Sequence, residues 1–160
     1  MTRGSRINPL VVSHPIQALV HISNLMSSGQ YHRLAGIVPT ETIEHIEQKC
    51  SSLSDARRQQ LAVAMDEIVA ALPENVSLIF DKHGKKFCSI VLRFWFLSTP
   101  GGPDDPESRI FKVAPREDGG PQRKIVSAVF EFHREVSRGA SPDWTVTTVW
   151  HWHWHWKEAE

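Results

Sequence analysis

Acidic residues are missing from positions 1–40 of this 160-residue chain, which hold Arg3, Arg6 and Arg33 but no Asp or Glu. An acid-free start bearing Arg and Ser has the composition of a mitochondrial presequence. It is too short to precede a complete domain, because a core-like helix begins near His14. Residues 1–13 are therefore expected to be a disordered or truncated N-terminal segment. Tyrosine occurs once, at Tyr31, outside every expected strand. The two cysteines, Cys50 and Cys88, lie in apolar settings without CxxC spacing, which fits inert thiols in a reduced compartment. No apolar run approaches the roughly 20 residues needed to span a bilayer. Eighteen basic and eighteen acidic residues cancel, so no global charge argues for nucleic acid. Neither an HExxH motif nor a Ser-His-Asp arrangement is present, and the expectation is a protein that is not an enzyme and holds no cofactor.

The most strongly patterned stretch is Phe87–Leu97, FCSIVLRFWFL, which carries one charge, Arg93. In a strand, Cys88, Ile90, Leu92, Phe94 and Phe96 share one face, and Phe87, Ser89, Val91, Arg93, Trp95 and Leu97 share the other. Both faces are mostly apolar, which predicts a central strand of an antiparallel sheet covered on both sides. Val76–Asp81 precedes it through a short turn in which Gly84 supplies a positive φ, so the two segments form a hairpin. Phe94 and Trp144 are expected to be buried.

Upstream, Ile16, Leu19, Val20, Ile22, Leu25 and Met26 line a helical stripe that Gly29 ends. A short turn over residues 31–37 leads to a second helix capped by Thr40, with Ile43, Ile46, Cys50 and Leu53 as its apolar stripe. Ser54 and Asp55 open a third helix expected to bury Leu61 and Met65 and to reach Ile68 and Val69, although residues 67–72 suit a short strand equally. Downstream, the prolines and glycines of residues 98–108 exclude regular structure. Short strand 109–114, long strand 124–136 and last strand 144–150 follow. Helices first and sheet after give an α+β class.

This order resembles the Tim44-like domain, a cone-shaped member of the NTF2-like folds, with N-terminal helices packed on a curved antiparallel sheet. The resemblance is carried by AMDEIV at Ala64–Val69, DKHGKKF at Asp81–Phe87, FWFL at Phe94–Leu97 and EFHREVSRGASPDWT at Glu131–Thr145, and assigns residues 14–150 to the domain. Within that group the chain is similar to the mitochondrial matrix proteins that bind the m-AAA protease. The resemblance implies a non-enzymatic matrix adaptor, peripheral to the inner membrane, whose partners are the protease and an inner-membrane client. It further implies support of the sorting and maturation of a small inner-membrane subunit of the calcium uniporter. It carries no residue-level binding site. That family has more chain before His14, and its ending is not the Trp/His alternation found here. The alternatives are an NTF2-like enzyme or small-ligand-binding protein using the cone interior, and a Tim44-like import or mitoribosome component. A dry cavity with converging polar groups would favour an enzyme; an interior filled by Phe94, Phe96, Phe130 and helix residues would favour an adaptor.

Three groups of side chains are candidates for chemistry. Arg93 and His133, on the two long strands, could serve a pocket; Arg93 reads as a packed stem with its head at the rim, and His133 as solvated beside Glu131 and Glu135. Lys82, Lys85 and Lys86 crowd the hairpin tip and form a candidate contact with anionic membrane, each worth about 1 kcal/mol, although Asp81 lowers the net charge there. The ending Trp150-His151-Trp152-His153-Trp154-His155-Trp156 alternates perfectly. As a strand it would put His151, His153 and His155 on one face about 7 Å apart, a spacing that reaches one Zn²⁺ only with distortion. Metal binding there is the minor alternative to no metal at all. The alternation reads instead as a short tandem repeat of the coding sequence or as a read through non-coding sequence. Residues 151–160 are expected outside the fold, with Trp152, Trp154 and Trp156 more exposed than Trp95 and Trp144.

Overall fold

A computed structural model describes residues 14–99 and 101–156. The expectation for residues 1–13, and that for residues 157–160 of the tail, lie outside them. Helix α1 (Pro15–Ser28) starts where the His14 side chain accepts a hydrogen bond from the Ile16 amide, with proline in the first turn. It stops at Gly29, whose φ of 73° lets its own amide and that of Gln30 close back on Met26 and Leu25. A 3-10 turn at Tyr31–Leu34 leads to α2 (Thr40–Ser51). Pro39 rather than Thr40 occupies the cap position, and Thr40 is the first helical residue. Helix α3 covers only Asp55–Gln59, opened by the Ser54 hydroxyl accepting from the Arg57 amide.

Four antiparallel strands follow, β1 (Ile68–Phe80), β2 (Lys86–Ser98), β3 (Lys124–Glu135) and β4 (Thr145–His151), in the spatial order β1-β2-β3-β4. The expected α+β class, with helices first and an antiparallel sheet after, is what the chain adopts. β2 is the central strand, flanked by β1 and β3. At the hairpin tip the Asp81 amide donates to the Lys85 carbonyl and Gly84 has φ 81°, as its place in the turn required. β1 is longer than the hairpin arm expected from the sequence. Its pairing runs from Ile68 opposite Phe96 to Phe80 opposite Lys86, broken by irregularities at Ile68/Ala70 and at Pro73/Asn75. The third helix is correspondingly shorter than expected. Residues 68–72 find ladder partners on β2, so Met65 and Val69 are exposed rather than core. The short strand expected at residues 109–114 does not form. The Val113 and Ala114 carbonyls are met by the Gln122 side-chain amide instead of a neighbouring strand.

The core lies between the helices and one face of the sheet. Leu19, Ile22 and Met26 of α1, together with Ile46 and Cys50 of α2, pack with Phe94, Phe96, Ala128, Phe130 and Phe132 in one cluster. The Phe94 and Phe130 rings meet edge to face at 5.9 Å. Phe94 is fully buried and Trp144 is 9% exposed, as expected for both. Apart from Ser89, which is 2% exposed and bonded to Glu131, the other face of β2 is covered only near its end. There Trp95 packs on Phe111 and donates its indole N–H to the Glu107 carbonyl at 2.9 Å. From Phe87 to Leu92 the strand is mostly half-buried, so coverage of both faces holds for its C-terminal half alone.

Candidate functional site

Among the described residues the middle of the helix-side interior is filled by the four phenylalanines and the α1 side chains, and the buried imidazoles of His151 and His153 lie at one end of it, against Phe96. Arg93 and His133 both point away from it, and the structure does not bring them together. The Arg93 guanidinium donates through Nε to Glu74 at 2.7 Å and through a terminal nitrogen to the Ser127 hydroxyl at 2.9 Å, and lies 5.8 Å from the centre of the Trp150 ring. It thereby ties the irregular Pro73–Asn75 stretch of β1 to β3 and β4. His133 is half-buried rather than solvated. Its Nε2 lies 2.9 Å from Glu131, whose carboxylate also accepts from Ser89 and Thr148. Burial pushes the Glu131 carboxyl up, but the hydrogen bonds from His133, Ser89 and Thr148 outweigh it and leave the group below its ordinary value. Both candidates are structural pairs on the outer face.

Beside Arg93 a shallow cleft of about 420 Å³ is lined by Glu74, Asp105, Val129, Trp150, Trp152 and His155. Asp105 is 2% exposed and already committed, accepting from the Ser127 amide and hydroxyl at 2.8 and 2.7 Å and from the Glu107 amide. Sequence reasoning placed Asp105 in a polar loop. The Asp-Pro pair at 105–106 was the available signal for its role as a turn cap.

The tail corrects the sequence expectation for its described residues. Trp152 and Trp154 are 8% and 7% exposed, in the same range as Trp95 at 6% and Trp144 at 9%, and His151 and His153 are fully buried, while Trp156 alone of the three tail tryptophans is more exposed, as expected. The reason is a change of backbone. β4 ends at His151 and Trp152–His155 turns as a single helical turn, α4, capped by His151 Nδ1 accepting from the His153 amide at 3.0 Å. The two-residue alternation of a strand is thereby lost. His151 and His153 stack at 5.4 Å in the core, whereas His155 is exposed against Trp150 and Trp152. The three imidazoles do not converge on a metal position, and no group of three or more His, Cys, Asp or Glu among the described residues does so.

Arg57 closes this corner. It is 8% exposed, donates from Nε to the His153 carbonyl at 2.7 Å and from a terminal nitrogen to the Trp156 carbonyl, and stacks 3.5 Å from the centre of the Trp156 ring. The His153 Nε2 meets the Ser98 hydroxyl at 2.6 Å. Nothing in the spacing of α3 singled out Arg57, because its partners lie nearly 100 residues away. Burial holds both imidazoles neutral. His151 lies well below its ordinary pKa, with His153 adding to the effect, and His153 is pushed down to about 4, with Arg57 and Lys124 adding and Asp105 opposing.

At the opposite end of the sheet, Lys82, Lys85 and Lys86 are exposed on the hairpin tip and have no ion pair among the described residues. The Asp81 carboxylate turns back into the turn, accepting from the His83 and Lys85 amides at 2.9 Å each. Phe80 and Leu78, directly behind the tip, are 61% and 62% exposed. Burial raises the Cys50 thiol to about 12, the bonded Tyr31 hydroxyl and Arg58 opposing, so it is held as an unreactive thiol.

Fold and side-chain pairing define an α+β domain with a packed helix–sheet interior and its most open apolar surface on the first strand. In sequence the chain is similar to m-AAA protease-interacting protein 1, mitochondrial, from Bos taurus, at 34% identity over 137 residues, which is 84% of this chain and 47% of the relative. The proteins of the same name from Homo sapiens and Mus musculus are each 31% identical over 137 residues, with the same coverage. The chain thus spans about half the length of the curated relatives it matches. No family model matches it, and no solved structure matches it. No helix among the described residues is long and apolar enough to cross a membrane.

Proposed function

We propose that this chain is a non-enzymatic adaptor of the mitochondrial matrix, built on a Tim44-like domain, that binds the m-AAA protease at the inner membrane. Its client is an inner-membrane protein, a small subunit of the calcium uniporter, whose sorting and maturation it supports. The observation that carries this reading is the similarity over 84% of the chain to proteins named for interaction with that protease. The interior agrees with it. Phe94, Phe96, Phe130 and Phe132, all fully buried, occupy the space that an enzyme or small-ligand protein of this architecture would keep open.

The test is affinity purification of the tagged chain from mitochondria, with an unrelated tagged matrix protein as the reference. Enrichment of m-AAA protease subunits over that reference is expected. Recovery at the reference level, with the chain folded and imported, would sink the proposal.

A further inference from the structure

Of the nine large apolar side chains exposed among the described residues, six lie on β1, namely Val69, Leu72, Val76, Leu78, Ile79 and Phe80. Among the described residues β1 is an edge strand, paired with β2 on one side only. Proteins blunt such edges with charges, prolines or irregularities, because an open row of N–H and C=O groups pairs with any extended chain. Here Pro73 and the register break at Pro73/Asn75 protect only the middle of the strand. From Asn75 to Phe80 the pairing with β2 is unbroken and regular, and no charged residue interrupts the six positions. Val76, Leu78 and Phe80 share the face of Ile90 and Cys88, beyond the reach of the helices. This arm ends at Lys82, Lys85 and Lys86, which have no ion pair among the described residues and outnumber Asp81, whose carboxylate is turned back onto the turn amides.

We infer that the Asn75–Phe80 edge is a docking site that receives an extended apolar segment of a partner protein as a fifth strand, with acidic residues at the end of that segment reaching the lysine tip. The inference deepens the adaptor reading and rests on it for the identity of the partner. Backbone pairing supplies affinity without demanding a particular sequence, and the lysines set which end of the segment lies at the tip.

Two other occupants fit less well. A second copy paired antiparallel over Asn75–Phe80 offers the lysine tip no free carboxylate, because the Glu74 that would lie beside Lys82 is bonded to Arg93, and a parallel copy sets lysine against lysine. A bilayer would accept Phe80 and the lysines, but hydrocarbon leaves the edge amides unsatisfied, whereas a strand satisfies them.

The test is hydrogen exchange on the whole chain with a synthetic peptide of alternating Val and Thr carrying a glutamate-rich end, and with its lysine-ended counterpart. The glutamate peptide should slow exchange across residues 75–80 by about tenfold or more. The lysine peptide should not, and the protection should vanish in the variant Lys82→Glu, Lys85→Glu, Lys86→Glu and in Leu78→Lys. All four positions are exposed, so an unchanged melting temperature shows that each variant is folded. Equal protection by both peptides would overturn the charge assignment. Protection by anionic phospholipid vesicles and by neither peptide would make the tip a membrane contact, and protection rising with protein concentration alone would make the edge a self-association surface; either result overturns the docking site. Recovery of m-AAA protease distinguishes the two proposals. Equal recovery by wild type and by Leu78→Lys leaves the adaptor reading standing and removes this one. Recovery by neither, with the glutamate peptide still protecting residues 75–80, does the reverse.

Discussion

Arg57, His151 and His153 form a buried polar corner that works only when both imidazoles are neutral. Their ordinary value in an unfolded chain is near 6.5 and their folded values are lower. Below about pH 6.5 the unfolded state therefore binds protons that the folded state refuses. Stability is complete above that pH and falls as the pH drops toward about 4, where His153 itself protonates in the fold. Going from about pH 7.5 to about pH 5 should cost on the order of 2 kcal/mol from His153 alone. The urea midpoint measured at both values checks this, and a flat profile would mean that the corner opens to water. Glu131, held below its ordinary value, contributes in a separate and more acidic window. None of this corner was legible from spacing. Histidines two apart suggest a strand face, and what overrode that period was the His151 cap that starts a helical turn.

At the scale of elements, the tail behaves as part of the sheet's cover. Trp152 and Trp154 belong to the same cluster as Phe94 and Phe130, and the Trp152 indole donates to the Pro103 carbonyl at 3.2 Å. Truncation after Val149 should lower the melting temperature sharply. Trp154→Ala alone should cost about 3–5 kcal/mol, the same range as Phe94→Ala. Denaturant titration of the three variants decides the point, and an unchanged midpoint on truncation would return the tail to the outside of the fold. Stoichiometric Zn²⁺ should leave the melting temperature where it is. His151 Nδ1 and His153 Nε2 already have partners, and a metal could raise stability only by binding the folded state.

For the whole molecule, the sequence made the sheet readable where pattern and turn chemistry agreed. Phe87–Leu97 is central because both faces are apolar, and Gly84 ends its hairpin because only glycine tolerates that φ cheaply. The reading failed where tertiary pairing decides. The Ile68–Leu72 stretch suits helix or strand by itself, and only the length of β2 selects strand. The candidate side chains were visible as residues but not as partners, since Arg93 meets Glu74 and Ser127 through register rather than neighbourhood. At this scale Arg93→Ala should loosen the link between β1 and β3. The expected loss is about 1–3 kcal/mol, because Ser127 and the partly exposed Glu74 lose a charged partner. Unfolding in denaturant, with hydrogen exchange of β1 as a second readout, measures it.

Four of the six tryptophans fall between residues 150 and 156, at the end of β4 and in the helical turn that follows it. The chain therefore carries its own optical probe, concentrated in one place. Trp152 and Trp154 sit out of water and Trp156 lies under a guanidinium, so release of this segment should shift emission to the red before the far sheet loses its circular dichroism. A molecule whose two spectra change together would instead open as one unit, corner and sheet alike.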